Sequence, residues 1–189
     1  GYNYGISGNT IGTIPAEYAE QDDTIPMWQR ISDIFEQVPS CDYFVLLGGA
    51  NDCWRNVPIG TVTDTTGATF MGAINYIITY IRENYRNAEG KRAKLLLMTN
   101  YNRKLRTSAT GHTDEEYVDA MLEVAHYRGI PCIDNYHDVG LDLRREDDVG
   151  YATDAKWACD WNEGTTTNHL SEEGYDYLLP IYEEKIKSI

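Results

Sequence analysis

Three features of these 189 residues predict a three-layer α/β/α fold, a parallel sheet with helices on both faces. Largely apolar runs stand at 43–47, 93–98 and, more briefly, 130–133, the first two in the form taken by strands buried on both sides. Amphipathic stretches of helical period lie between them. The connections are short, and strands alternating with helices across short connections are placed parallel. No repeat, low-complexity tract or linker divides the chain, so a single domain over residues 1–189 is expected.

In chain order, Tyr2-Asn3-Tyr4 reads as the end of a strand. Met27, Ile31, Ile34, Phe35 and Val38 recur at helical spacing behind Pro26, a favourable first-turn residue. Tyr43-Phe44-Val45-Leu46-Leu47 is a strand closed by Gly48-Gly49. Phe70, Ile74, Ile77, Ile78, Ile81 and Tyr85 make one apolar helical stripe, and the run from Ala93 to Met98 is the next strand, ending at Thr99-Asn100. Thr113 and Glu116 form a capping box that opens a helix ending at Gly129. Pro131 has no N–H to give a ladder, which puts the run from Ile130 to Ile133 at a sheet edge. Ser171 caps a last helix with Tyr175, Leu178, Leu179, Tyr182 and Ile186 on one face.

Composition narrows the function classes. The net charge is −14, with acidic residues thickest after Asp114, which makes nucleic acid and anionic membrane poor partners. The basic cluster Arg103-Lys104 and Arg106 is too brief to alter that, and reads as a solvated loop. No apolar run approaches the roughly 20 residues that span a bilayer, and the segment after Gly1 has no signal-peptide pattern. Cys41, Cys53, Cys132 and Cys159 contain no CxxC pair, which argues against a structural zinc site. Cys132 reads as buried, and a bridge between Cys53 and Cys159 is left open. His112, His126, His137 and His169 are scattered without ligand spacing, so no metal is expected.

In parallel sheets reactive groups gather beyond the carboxyl ends of the strands. Two short blocks fall in such loops: Ile6-Ser7-Gly8-Asn9-Thr10, and Gly48-Gly49-Ala50-Asn51-Asp52 directly after the first buried run. A third, Asn168-His169-Leu170-Ser171-Glu172-Glu173-Gly174-Tyr175, opens the last helix. Together they resemble three of the four signature blocks of the SGNH/GDSL hydrolases, serine esterases built on a flavodoxin-like sheet. The resemblance implies an oxyanion hole formed by the Gly8 N–H and the Asn51 carboxamide, with His169 as the base that takes the serine proton. It implies no cofactor.

Two positions depart from the pattern. Where the family places an aspartate three residues before the histidine, this chain has Thr166; Asp160, Glu163 or a backbone carbonyl is left to orient His169. Asp134 and His137 also have Asp-x-x-His spacing, without the helix-opening context. The Gly-Asp-Ser block that carries the nucleophile is absent from residues 1–189, as is a Gly-x-Ser-x-Gly elbow. Ser7 occupies a position commonly serine in its block without being the nucleophile. The first strand of the family sheet is therefore expected to be missing, as in an N-terminally truncated domain. Its place would be filled by a rearranged sheet, by strand exchange within a homo-oligomer, or by an upstream segment.

The leading reading is an SGNH-type esterase acting on acyl or acetyl groups of small-molecule or carbohydrate esters, without ordinary turnover in these residues alone. The rival is a degenerate relative that binds carbohydrate or another ligand. The 15 tyrosines suit sugar stacking, although packing is the commoner use of tyrosine. A flavodoxin-like cofactor or phosphate binder is disfavoured, because no glycine-rich phosphate loop follows a strand.

Overall fold

The computed structural model describes residues 1–19, 24–102, 107–141, 158–159, 169–170 and 172–189. Three strands, β1 (Tyr43–Leu47), β2 (Lys94–Met98) and β3 (Cys132–Ile133), form a parallel sheet in the order β1-β2-β3. Val45 is paired with Leu96, Leu47 with Met98, and Leu97 with Cys132. Side chains alternate across this sheet. Leu46, Leu95 and Leu97 therefore join one core, and Leu96, Met98 and Ile133 join another.

The larger core is covered by helices α1 (Met27–Gln37), α3 (Phe70–Asn84) and α4 (Asp114–Arg128). Helix α3 is the most deeply buried of these, with Phe70, Ile74, Ile78 and Ile81 at 0% exposure. Thr69 caps it by accepting the Gly72 N–H. Helix α4 has the expected capping box, in which Glu116 donates its N–H to Thr113 Oγ1 and accepts the Thr113 N–H. Gly129 ends it in a left-handed conformation, φ +61°. Tyr85 is enclosed by Phe35 and Phe44 in edge-to-face contacts.

The smaller core lies on the other face. Leu178 of helix α5 (Glu172–Ser188) packs there with Leu96, Met98, Ile133 and Leu170. A short antiparallel ribbon pairs β4 (Ala158–Cys159) with β5 (His169–Leu170). Helix α2 (Ala50–Trp54) follows β1 directly. The result is three layers, as the alternation of runs predicts. Ser171, the expected cap of α5, lies outside the described residues, as do Arg103, Lys104 and Arg106.

Four expectations are corrected. Tyr2-Asn3-Tyr4 forms no strand; the segment is irregular and largely exposed. The run at 43–47 is buried on one face only: Leu46 is 6% exposed, whereas Tyr43, Val45 and Leu47 are 41–42% exposed. Among the described residues β1 is an edge strand, and α5 covers the sheet over β2 and β3 instead. The α5 stripe likewise splits, since Leu178 is fully buried while Tyr175 and Leu179 are 52% exposed. Cys132 is half-buried rather than buried, and that burial pushes its thiol up to about 12. Among the described residues β3 pairs only with β2, in keeping with Pro131 at an edge.

Candidate active site

The site is built where β1 ends. The chain leaves the strand through Gly48 and Gly49, and Gly49 has φ +107°, a conformation that disfavours any side chain. A Cβ on Gly48 would meet the Ile11 side chain at 2.8 Å, so the loop carrying Ile11 lies directly on the end of the strand. The turn at Gly49 starts α2, whose second and third residues are Asn51 and Asp52.

These two neighbours grip the same loop. Asn51 Nδ2 donates to the carbonyl oxygen of Asn9 at 3.0 Å. The Asp52 carboxylate accepts the Ile11 N–H on both oxygens at 3.0 Å and the Gly12 N–H at 2.8 Å. Asp52 is 0% exposed. Burial pushes its carboxyl up to about 7, and the Gly12 and Ile11 amides pull in the opposite direction by favouring the ionised form. The loop is braced from its far side as well. Asn9 Nδ2 donates to Thr24 Oγ1 and the Ile25 carbonyl, and Arg30 donates to Asn9 Oδ1 and the Tyr4 carbonyl.

Gly8 sits at the head of this braced loop, exposed, in a turn closed by the Asn9 N–H on the Ile6 carbonyl. Its φ of +75° explains the glycine. Close approach of packed atoms does not, since a Cβ there would meet nothing within 4 Å. The structure thus joins the Gly8 block and Asn51 through one hydrogen bond. Trp54, 62% exposed, stands one helical turn after Asn51 on α2 and therefore on the same side of it.

His169 is carried separately. It is exposed on β5, opposite Cys159 across the ribbon, while its neighbour Leu170 is 2% exposed in the smaller core. Thr166, Asp160 and Glu163 lie outside the described residues, and so does the Cys159 side chain needed for a bridge to Cys53. Cys53 is buried with Sγ 3.7 Å from the His112 carbonyl oxygen.

The other Asp-x-x-His pair does form. His137 Nδ1 lies 2.7 Å from Asp134 Oδ2, and Nε2 lies 3.4 Å from Glu115 Oε1. Partial burial works to lower the imidazole pKa, but hydrogen bonds to Asp134 and Glu115 prevail and raise it. Asp134 is itself fixed by the Tyr136 and His137 amides. Both ring nitrogens of this histidine face a carboxylate, which leaves neither free to act as a base. A cavity of about 310 Å³ lies beside it, between β3 and α5, lined by Cys132, Asp138, Ile181 and Lys185 among others. None of the Gly8 or Asn51 block lines it. Among the described residues no group of three or more His, Cys, Asp or Glu side chains is arranged to hold a metal ion. No described helix is long and apolar enough to cross a membrane.

The bonds of Asp52 to the Ile11 and Gly12 amides and the Asn9–Arg30 brace are contacts that sequence reasoning missed. Asp52 stood beside the assigned Asn51, and its signal was an acid in an otherwise apolar setting after a buried strand.

Residues 1–177 match the profile of the GDSL-like lipase/acylhydrolase family. No significant match was found among curated proteins. Among solved structures, a protein from Lactobacillus plantarum is 22% identical with a TM-score of 0.71, covering 98% of this chain and 80% of its own. The inhibitor-bound aryl esterase of M. smegmatis is 15% identical, TM-score 0.61, over 97% of this chain and 75% of its own. A candidate GDSL-like lipase from Bacteroides ovatus is 18% identical, TM-score 0.58, over 96% and 69%. These likenesses agree with the layered α/β architecture, and the profile match spans all but the last turns of α5. The chain belongs to the GDSL-like lipase/acylhydrolase family.

Proposed function

We propose that this chain supplies the oxyanion hole and the general base of an SGNH-type ester hydrolase. The observation that carries the reading is the Asn51–Asn9 hydrogen bond at 3.0 Å, which ties the carboxamide to the loop headed by Gly8. A primary amide has two N–H donors. One holds the Asn9 carbonyl and fixes the plane of the amide. The other is left for the oxygen that becomes negative as an ester carbonyl is attacked. The Gly8 N–H, exposed on its turn, is the second donor. Such preorganised donors contribute about 3–4 kcal/mol each to the transition state.

In the catalytic cycle a serine hydroxyl adds to the ester carbonyl, its proton passes to His169, and the tetrahedral oxyanion is held by Gly8 and Asn51. Collapse expels the alcohol, which takes the proton from His169. Water then repeats the sequence on the acyl-serine and releases the acid. The serine has no counterpart in residues 1–189, because Gly-Asp-Ser does not occur there. The expected substrates are acyl or acetyl esters of small molecules or carbohydrates, and the exposed Trp54, one turn after Asn51, favours a flat or sugar-like alcohol.

Residues 1–189 alone are expected to resist a fluorophosphonate probe. A polypeptide in which Gly-Asp-Ser is encoded ahead of Gly1 should be labelled, and His169→Ala should abolish labelling. Asn51→Ala should lower kcat about 10²–10³-fold. Undiminished labelling of the His169 variant would defeat its assignment as base. A degenerate ligand-binding relative is the second reading, favoured by Thr166 and by the absence of Gly-Asp-Ser. It gains if the upstream codons lack that block.

A further inference from the structure

The geometry points to Asp52 as the positioning residue of the oxyanion hole: its buried carboxylate locks the Gly8 loop to the helix that bears Asn51. This rests on the reading of Gly8 and Asn51 given above. Asp52 touches neither substrate nor reacting atoms. It acts through the backbone.

Two adjacent residues of one short helix hold three residues of the loop, on both sides of Thr10. Asn51 takes the Asn9 carbonyl, and Asp52 takes the Ile11 and Gly12 amides on two oxygens. A loop held at one point can still pivot, whereas one held on both sides of Thr10 cannot. Thr10 itself closes the span, its hydroxyl donating to the Gly12 carbonyl at 2.7 Å and its carbonyl accepting the Met27 N–H at 2.9 Å. The separation between the Gly8 N–H and the Asn51 amide is therefore set by the Asp52 carboxylate. A loss of about 1 Å in such a separation is enough to weaken catalysis by orders of magnitude. Burial of this acid is otherwise hard to explain, since a fully enclosed carboxyl adds less to stability than an apolar residue of its size would. Helix α2 spans only five residues, so its own ladder does little to fix Asn51.

The test uses ¹⁵N-labelled residues 1–189 and no substrate, so it succeeds or fails independently of the hydrolase reading. In Asp52→Asn the replaced oxygen becomes an N–H₂ facing amide donors. The Gly8 N–H and the Asn51 side-chain amide should both shift, and exchange protection at Ile11 and Gly12 should fall at least about tenfold. Amides of α3 and α4 should stay in place. The control is Asn75→Ala, which removes a buried amide that holds the Val62 and Asp64 carbonyls and lies outside the site. It destabilises without touching the lock, so it should leave Gly8 and Asn51 unmoved. If Asp52→Asn moves them no more than this control does, the proposal is overturned. If that variant does not fold, hydrogen exchange of the unaltered protein decides. Ile11 and Gly12 should open together with Cys53 and Arg55, whose amides bond Gly49 and Asn51 within α2. Exchange more than about tenfold faster at Ile11 and Gly12 would refute a lock.

Discussion

At the scale of single residues, the enclosed carboxyl of Asp52 also makes folding depend on pH. Its folded value near 7 stands above the ordinary 3.8 because burial disfavours the charge. Between those values the folded chain keeps a proton that the unfolded chain has released. The stabilisation is full below about pH 4, declines as pH rises, and is lost above about 7. His137, raised by Asp134 and Glu115, adds a loss in the same direction above the ordinary histidine range. Asp64 and Glu116 are lowered and act oppositely, but both are solvent-exposed and screened. Urea midpoints taken from pH 4.5 to 8 should therefore fall more steeply in the native protein than in Asp52→Asn. Parallel slopes would show that the buried carboxyl keeps its ordinary affinity for protons. Of the expected site, the neighbourhood of the Gly8 loop and Asn51 was legible because short blocks carry both, while His169 stands apart on β5. What could not be read was that Asp52 bridges to Ile11 and Gly12 about forty positions away, because no local pattern encodes a carboxylate meeting a distant backbone amide.

At the scale of elements, helices were easier to read than strands, for a physical reason. Helix α3 keeps its stripe because its caps and packing partners are local, with Thr69 bonding Gly72 three residues on. Chemical denaturation of Thr69→Ala should register the loss of that cap, since one first-turn amide loses its acceptor. The hydroxyl also donates to Asp64 Oδ2 at 2.9 Å, which itself holds the Thr61 amide, so the loss should approach the upper end of the range for caps, about 2 kcal/mol. A value indistinguishable from zero would mean that packing alone starts the helix. The strand at 43–47 was legible as a strand but not in its burial. A continuous apolar run says that both faces suit a dry environment, yet which face is covered depends on layers supplied from elsewhere in the chain. Val45 and Leu47 have the same composition signal as Leu96 and Met98, their register partners, and only the latter lie under α5.

At the scale of the whole molecule, that uneven cover leaves an apolar flank on the sheet. Helix α5 seats Leu178 on the sheet, and its flank bearing Ile181, Lys185 and Ser188 lines the cavity at β3. By helical geometry Tyr175 and Leu179 lie on the other flank of α5 from that cavity, and each is 52% exposed. On the sheet itself, Tyr43, Val45 and Leu47 form an exposed strip along β1. Beside that strip runs an edge of β1 with no pairing strand among the described residues, a template for association through backbone hydrogen bonds. The net charge of −14 opposes contact between two copies of the chain. We therefore expect residues 1–189 to self-associate with rising concentration, and more strongly at higher salt, where like-charge repulsion is screened within about 10 Å or less. Sedimentation velocity across about 5–200 μM would display this, a range that brackets weak edge pairing. Val45→Lys should abolish the association, because a cation on the edge resists strand pairing. Thermal stability should change little, since Val45 already meets solvent. If the native chain stays monomeric at every concentration and salt level, the edge is protected by residues outside those described. If it associates but Val45→Lys does so equally, contact is made through another face.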